Sequence, residues 1–210
     1  MMNVNGPDGI PALLGEAVEQ FATLPGVGKR TALRLALHLL RQPQENVERF
    51  GKAFIQLRSG IRYCRECGMI SDSDRCAVCS DSKRDRSVIC VVESLRDVIS
   101  IEQTGDYHGV YHVLGGLISP MDGVGPDDLP FGQLKTRVES PEVSEVILAL
   151  STGMDGETTS FYISRVLAST GVRISQIARG IGFGDDLEYA DSFTLGKAIA
   201  NRVPLDTSSH

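Results

Sequence analysis

The chain has 210 residues, 41% of them hydrophobic and 23% charged, a globular balance that argues against wholesale disorder and suits one large domain or two small ones. No apolar run approaches the ~18–20 residues of a membrane span. The opening residues MMNVNGPDGIPALLGE lack the basic start and apolar core of a secretory signal, so a soluble, cytoplasmic protein is expected. The net charge of −6 is uneven: residues 1–61 hold seven Lys/Arg against five Asp/Glu, residues 62–86 six against five, and residues 87–210 eight against seventeen. An acidic total therefore leaves room for a basic surface near the N-terminus.

Residues 8–22 place Ile10, Leu13, Leu14, Val18 and Phe21 at helical spacing. Pro25-Gly26-Val27-Gly28 interrupts the pattern. Residues 29–41 resume it, with Ala32, Leu35, Ala36, Leu39 and Leu40 on one face, and a third helix is expected over about 44–59. The glycines allow a tight turn and a close backbone approach to a ligand. The start of the second helix adds unpaired N–H groups and a positive dipole end, which suit a phosphate. Lys29, Arg30 and Arg34 lie in or just after that first turn, the two arginines at i, i+4. Such a site reads backbone charge rather than base sequence. The pattern resembles the helix–hairpin–helix DNA-binding element. An ordinary turn with a solvated basic face is the alternative.

Residues 62–86 are too polar for a sizeable core, yet they carry Cys64-x2-Cys67-x8-Cys76-x2-Cys79. Two CxxC knuckles offer four thiolates, the closed soft shell of a structural Zn2+ site, and metal binding would supply the missing folding energy. Redox thiols, unliganded cysteines or an iron–sulfur cluster are the alternatives. The fifth cysteine, Cys90, lies in an apolar run and reads as core; an odd count without a signal disfavours a disulfide framework.

From residue 87 strands and helices alternate, as in a parallel α/β sheet. Strands are expected at Ser87–Glu93, Val110–Leu114, Glu145–Leu150 and Val172–Ile177. Helices are expected over about 94–103, 131–139 and 157–169, with a Gly/Pro/Asp loop at 115–130 and a last helix at about 194–202. Glu93 ends the first strand, and Asp155 and Glu157 follow the third. Side chains at such strand ends converge on one crevice, and three carboxylates there suit Mg2+. This arrangement resembles the Toprim fold of topoisomerases, primases and some nucleases. The alternative is that these are helix-capping acids in solvent.

The organisation expected is therefore a helix–hairpin–helix region over 1–61, a four-Cys zinc finger over 62–86, a Toprim-like α/β domain over 87–183 and a C-terminal helical tail over 184–210. In that order the pieces resemble the RecR family of bacterial recombination mediators. The likeness extends through Val91-Val-Glu-Ser94, Ile101-Glu-Gln-Thr-Gly105, Tyr111-His-Val-Leu-Gly115, the Ser119–Asp128 loop and Asp155-Gly-Glu-x-Thr159. Two departures stand out: Ser151-Thr152-Gly153 where the family often has Asn-Pro-Thr, and Lys29-Arg30 where it often has Pro-Lys.

The resemblance implies a role rather than a reaction, so no enzyme is expected. It implies a ring-shaped tetramer, built on the N-terminal helices and C-terminal tail, that binds DNA and works with RecO-like and RecF-like partners to help load recombinase on gapped DNA. By the same resemblance Arg30 and Arg34 fall on DNA-contacting positions and the four cysteines on zinc ligands. Glu93, Asp155 and Glu157 fall on acids tied to partner binding more than to chemistry. Two other readings stay open: an Mg2+-dependent Toprim nuclease, and a zinc-stabilised adaptor that never touches DNA.

Overall fold

The computed structural model describes residues 9–178, 180–182 and 184–204. Asp8 at the start of the first expected helix, Phe183 in the tail's glycine segment and the tail's last six positions lie outside the described residues. The chain forms two compact units, one ending at Ile61 and the other beginning at Arg62.

The first unit is helical: α1 (Ala12–Ala22), α2 (Lys29–Leu40) and α3 (Gln44–Gly60). Pro11 and Pro43 stand at the N-caps of α1 and α3, where a missing N–H costs no helix bond. Between α1 and α2 the Thr23 hydroxyl donates to the Gln20 carbonyl at 2.7 Å. The Val27 N–H closes a turn onto Leu24 at 3.0 Å. Gly26 has φ +78°, a conformation that L side chains rarely adopt. The helical periodicity is as expected, but the burial is not. No residue of α1 or α3 is buried, and Leu13 is 82% exposed. The apolar sides of α1 and α2, with Val47 of α3, instead line an open groove of about 610 Å³ that includes Leu13, Phe21 and Leu39.

The second unit opens with a two-stranded hairpin, β1 (Arg62–Tyr63) and β2 (Ile70–Ser71), followed by α4 (Ala77–Ser80). Then come β3 (Asp85–Val92), α5 (Leu95–Glu102), β4 (Gly109–Val113), α6 (Phe131–Val138), β5 (Glu145–Ala149), α7 (Met154–Leu167), β6 (Arg173–Gln176) and α8 (Ser192–Ala200). The strand order is β4-β3-β5-β6, and every pair is parallel. β3 starts inside the segment read from sequence as finger, with an irregularity in its pairing between Asp85 and Ile89. The 115–130 loop contains two short 3-10 turns, Pro120–Asp122 and Pro126–Asp128.

Successive strand residues face opposite sides of the sheet. Ile89 and Val91 therefore join a core with α6 and α7. Cys90 and Val92 join a second core on the other side, with Val98 of α5, Tyr111 and Val113 of β4, and all four clustered cysteines. The finger is thus part of the sheet's second layer. The Val113 N–H donates to the Cys67 carbonyl at 2.7 Å, and Gln133 of α6 donates to the Arg65 carbonyl at 2.8 Å. On the outer side of β4, Arg137 donates to the Tyr111 carbonyl at 2.7 Å. His112 of β4 is fully buried and its Nε2 has no hydrogen-bond partner among the described residues; burial, then the nearby Arg137 charge, pushes it down to about 3, so it is a neutral core residue.

Candidate functional site

The sequence singles out three sets of side chains, and the fold treats each differently. The four cysteines converge. Cys64 and Cys67 sit in the turn of the β1–β2 hairpin, which the Cys64 N–H to Met69 carbonyl bond closes at 2.7 Å. Cys76 is the N-cap of α4, its sulfur accepting from the Cys79 N–H at 3.4 Å. All four ligand sulfurs lie within 4.8 Å of one another, and Cys67 and Cys76 are 3.6 Å apart. Tetrahedral Zn–S bonds of about 2.3 Å place sulfurs roughly 3.8 Å apart, so the donor set fits the ion. Burial works against a Cys64 thiolate, but backbone N–H groups of Cys76, Cys67 and Glu66 outweigh it and bring the thiol down to about 6. Cys79 is pushed up by its Cys67 neighbour, by burial and by like charge, so a fourth thiolate calls for a cation in the middle. Arg75 and Arg86 flank the cluster, both donating to the Cys79 carbonyl and both pairing with Glu66.

The basic residues at the hairpin lie on α2. Lys29 and Arg30 are its first two residues, Gly28 is an N-cap with no side-chain hydrogen bond, and the first turn holds no acid. Helix stability alone would favour the opposite charge there, because the positive dipole end repels cations. Cations beside unpaired N–H groups are what an anion site requires. Lys29, Arg30 and Arg34 are exposed and make no ion pair among the described residues.

The acids occupy a topologically distinctive place. From β3 the chain crosses to β4 on one side, and from β5 to β6 on the other. The carboxyl ends of β3 and β5 therefore bound the crevice where open α/β sheets bind ligands. Glu93 follows β3 directly instead of ending it, its carbonyl accepting from the Gly115 N–H at 2.8 Å. The Ser94 N–H and hydroxyl both donate to Asp97 at the start of α5. α7 begins at Met154, three residues earlier than the periodicity suggests, so Asp155 and Glu157 lie in its first turn. Two residues apart on a helix is about 200° of rotation, so these two point to different sides. Asp155 is half-buried and Glu157 exposed. Among the described residues, the cysteines are the one group of three or more His, Cys, Asp or Glu side chains close enough to share a metal ion.

A constellation that sequence reading missed lies beside the finger. Arg84 forks onto Glu102, with Nη1–Oε1 at 2.8 Å, and also donates to the carbonyls of Tyr107 and Gly109. The Tyr111 hydroxyl donates to the same carboxylate at 2.7 Å. These residues are scattered singly along the chain, so no local motif marks them.

Comparison with known proteins places four family matches along the chain. Residues 14–57 match the RecR helix-hairpin-helix family, 61–81 the RecR four-cysteine zinc finger domain, 87–178 the Toprim domain and 180–203 the RecR C-terminal family. Recombination protein RecR of Porphyromonas gingivalis is 59% identical over 196 residues, covering 93% of this chain and 95% of that protein. The chain belongs to the RecR family. Recombination protein RecR of Phocaeicola vulgatus is 58% identical and that of Bacteroides thetaiotaomicron 55%, each over 91% of this chain and 93% of the relative. The RecR family order of hairpin, four-cysteine finger and Toprim sheet is the order seen here. Among the described residues no helix is long and apolar enough to cross a membrane.

Proposed function

We propose that this chain is a non-catalytic, zinc-stabilised DNA-binding mediator of recombinational repair. In this reading it works in the cytoplasm as a tetramer with RecO-like and RecF-like partners, helping to load recombinase on gapped DNA. The observation that carries it is the likeness to relatives named recombination protein RecR over more than nine-tenths of the chain. The cysteines hold one structural Zn2+ per chain, which supplies folding energy rather than chemistry. Lys29, Arg30 and Arg34 contact phosphates. The open apolar groove of α1 and α2 supports association through the N-terminal unit.

Glu93, Asp155 and Glu157 serve as an acidic docking surface for a basic partner protein. The excess of nine negative charges over residues 87–210 supports that role, since it repels DNA and attracts a cationic surface. The second reading, an Mg2+-dependent nuclease, draws support from the position of the acids at the crevice between β3 and β5. One experiment separates the two: purified protein with Mg2+ or Mn2+ and several DNA forms. The mediator reading expects no cleavage, with Glu93→Ala impairing binding of a RecO-like partner while DNA binding persists. Multiple-turnover cleavage that vanishes in Glu93→Ala would replace it with the nuclease.

A further inference from the structure

We propose that the nucleic-acid contact does not stop at the hairpin but runs the length of α2, with Arg41 as its distal phosphate contact. The proposal rests on the DNA-binding reading of the hairpin and extends it. On a helix of 3.6 residues per turn, Arg30, Arg34 and Arg41 fall within about 40° of one another. Arg41 is the C-cap of α2 and keeps a right-handed helical conformation, φ −87° and ψ −9°, so it continues the same stripe. Leu37 and His38 lie on the stripe between Arg34 and Arg41. Together these residues edge a shallow groove of about 330 Å³ formed on α2 itself.

Charge identifies the occupant. No Asp or Glu occurs between Glu19 and Glu45, a window that holds Lys29, Arg30, Arg34 and Arg41. Arg62, Arg75, Arg84, Arg86 and Arg173 pair with carboxylates, whereas the α2 arginines stand together on one face of a single helix. Arg30, Arg34 and Arg41 are exposed and have no ion pair among the described residues. An acid-free line of unpaired cations complements a polyanion with evenly spaced charge. From Arg30 to Arg41 the helix rises about 16 Å, against one phosphate per ~3.4 Å of axis along one strand of a duplex. A strand winds through about half a turn in five such steps, so a straight stripe of this length meets roughly two or three successive phosphates, where the hairpin alone meets one or two. Leu37, at 39% exposure, interrupts the polar face and leaves the arginines as discrete contacts instead of a continuous charged sheet.

The test uses the full-length protein and a fluorescent duplex, with affinity measured across a salt series. Arg30→Ala, Arg41→Ala and the double variant are compared with Arg49→Ala, a control on α3 whose guanidinium bonds Asn46 at 2.9 Å. Arg41→Ala is expected to lower the slope of log affinity against log salt by about 0.9, one contact, and the double variant by about two contacts. Arg41→Lys is expected to restore the slope, which a loss of helix capping would not allow. Weakening by Arg30→Ala with an unchanged slope in Arg41→Ala, or failure of Arg41→Lys to restore it, overturns the extended track and leaves the hairpin site standing. Wild-type binding by Arg30→Ala and Arg41→Ala alike would instead remove the hairpin reading itself.

Discussion

Gly156 packs directly against the Ser151 carbonyl: a Cβ built at residue 156 falls 2.1 Å from that oxygen and 2.8 Å from the carbonyl carbon. The contact folds the loop after β5 back over the first turn of α7, between Asp155 and Glu157. Because the obstacle is backbone, no rotamer change relieves it. Gly156→Ala is expected to cost about 1–3 kcal/mol by overpacking and to displace the acidic loop. Chemical denaturation checks the first effect. Binding of a RecO-like partner checks the second, with DNA affinity unchanged.

The hairpin makes a separable prediction. Arg30→Ala combined with Arg34→Ala is expected to weaken binding to all DNA sequences alike, since phosphate contacts carry no base information. The salt slope should fall by roughly 1.4–1.8 for two lost contacts, depending on whether the DNA is single- or double-stranded. A fluorescence titration with two unrelated sequences measures both effects.

The finger's place in the sheet's second core makes zinc a support for more than its own segment. Cys64→Ser or prolonged chelation is expected to destabilise β4 along with the knuckles, because Cys67, Met69, Tyr111 and Val113 share one buried cluster. A loss of about 3 kcal/mol would lower the melting temperature by roughly 6–12 °C in a chain of this size. Hydrogen exchange at the Val113 amide, whose acceptor is the Cys67 carbonyl, should quicken in the same variant. Elemental analysis of the folded wild type should return one zinc per chain.

Glu102 makes stability depend on pH in a stated direction. Arg84 first of all, and then the Tyr111 hydroxyl, hold its carboxyl below the ordinary range against the opposing effect of desolvation. The unfolded chain therefore takes up a proton near pH 4.3 while the native carboxylate stays ionised. The contribution is complete above that value and disappears as pH falls toward the lower native one. Glu102→Gln is expected to remove this part of the acid sensitivity and to cost about 1–3 kcal/mol at neutral pH, by leaving Arg84 without its charged acceptor. Urea denaturation at neutral pH and at about pH 3.5 reads both.

Much of this is legible because the signals are local. The CxxC spacing, the Pro-Gly-Val-Gly turn and the apolar run at 88–92 each encode their structure within a few residues. What the sequence hides is joined across distance. The fusion of finger and sheet depends on Cys67 meeting Val113, and the Arg84–Glu102–Tyr111 group on three isolated positions. The start of α7 is hidden for a related reason: Gly153 and Gly156 read as loop, yet one is an N-cap and the other is required by the Ser151 backbone. That early start separates Asp155 from Glu157, which spacing alone suggests would act together. The apolar stripes of α1 and α2 are legible too, but they line an open groove instead of a sealed core.

β4 is an outermost strand of a fully parallel sheet, and such a border is a template on which a foreign strand can grow. Here it is closed from both directions: the Cys67 carbonyl takes the Val113 N–H, and Arg137 occupies the Tyr111 carbonyl. A knuckle that loses its ion releases the first of these blocks and bares part of the border. A bound Zn2+ would then guard solubility as well as shape, and light scattering of chelated protein at rising concentration should register self-association before helix content falls. The same four sulfurs that would fold a polar segment too small to fold alone would then also keep one molecule's sheet from continuing into the next.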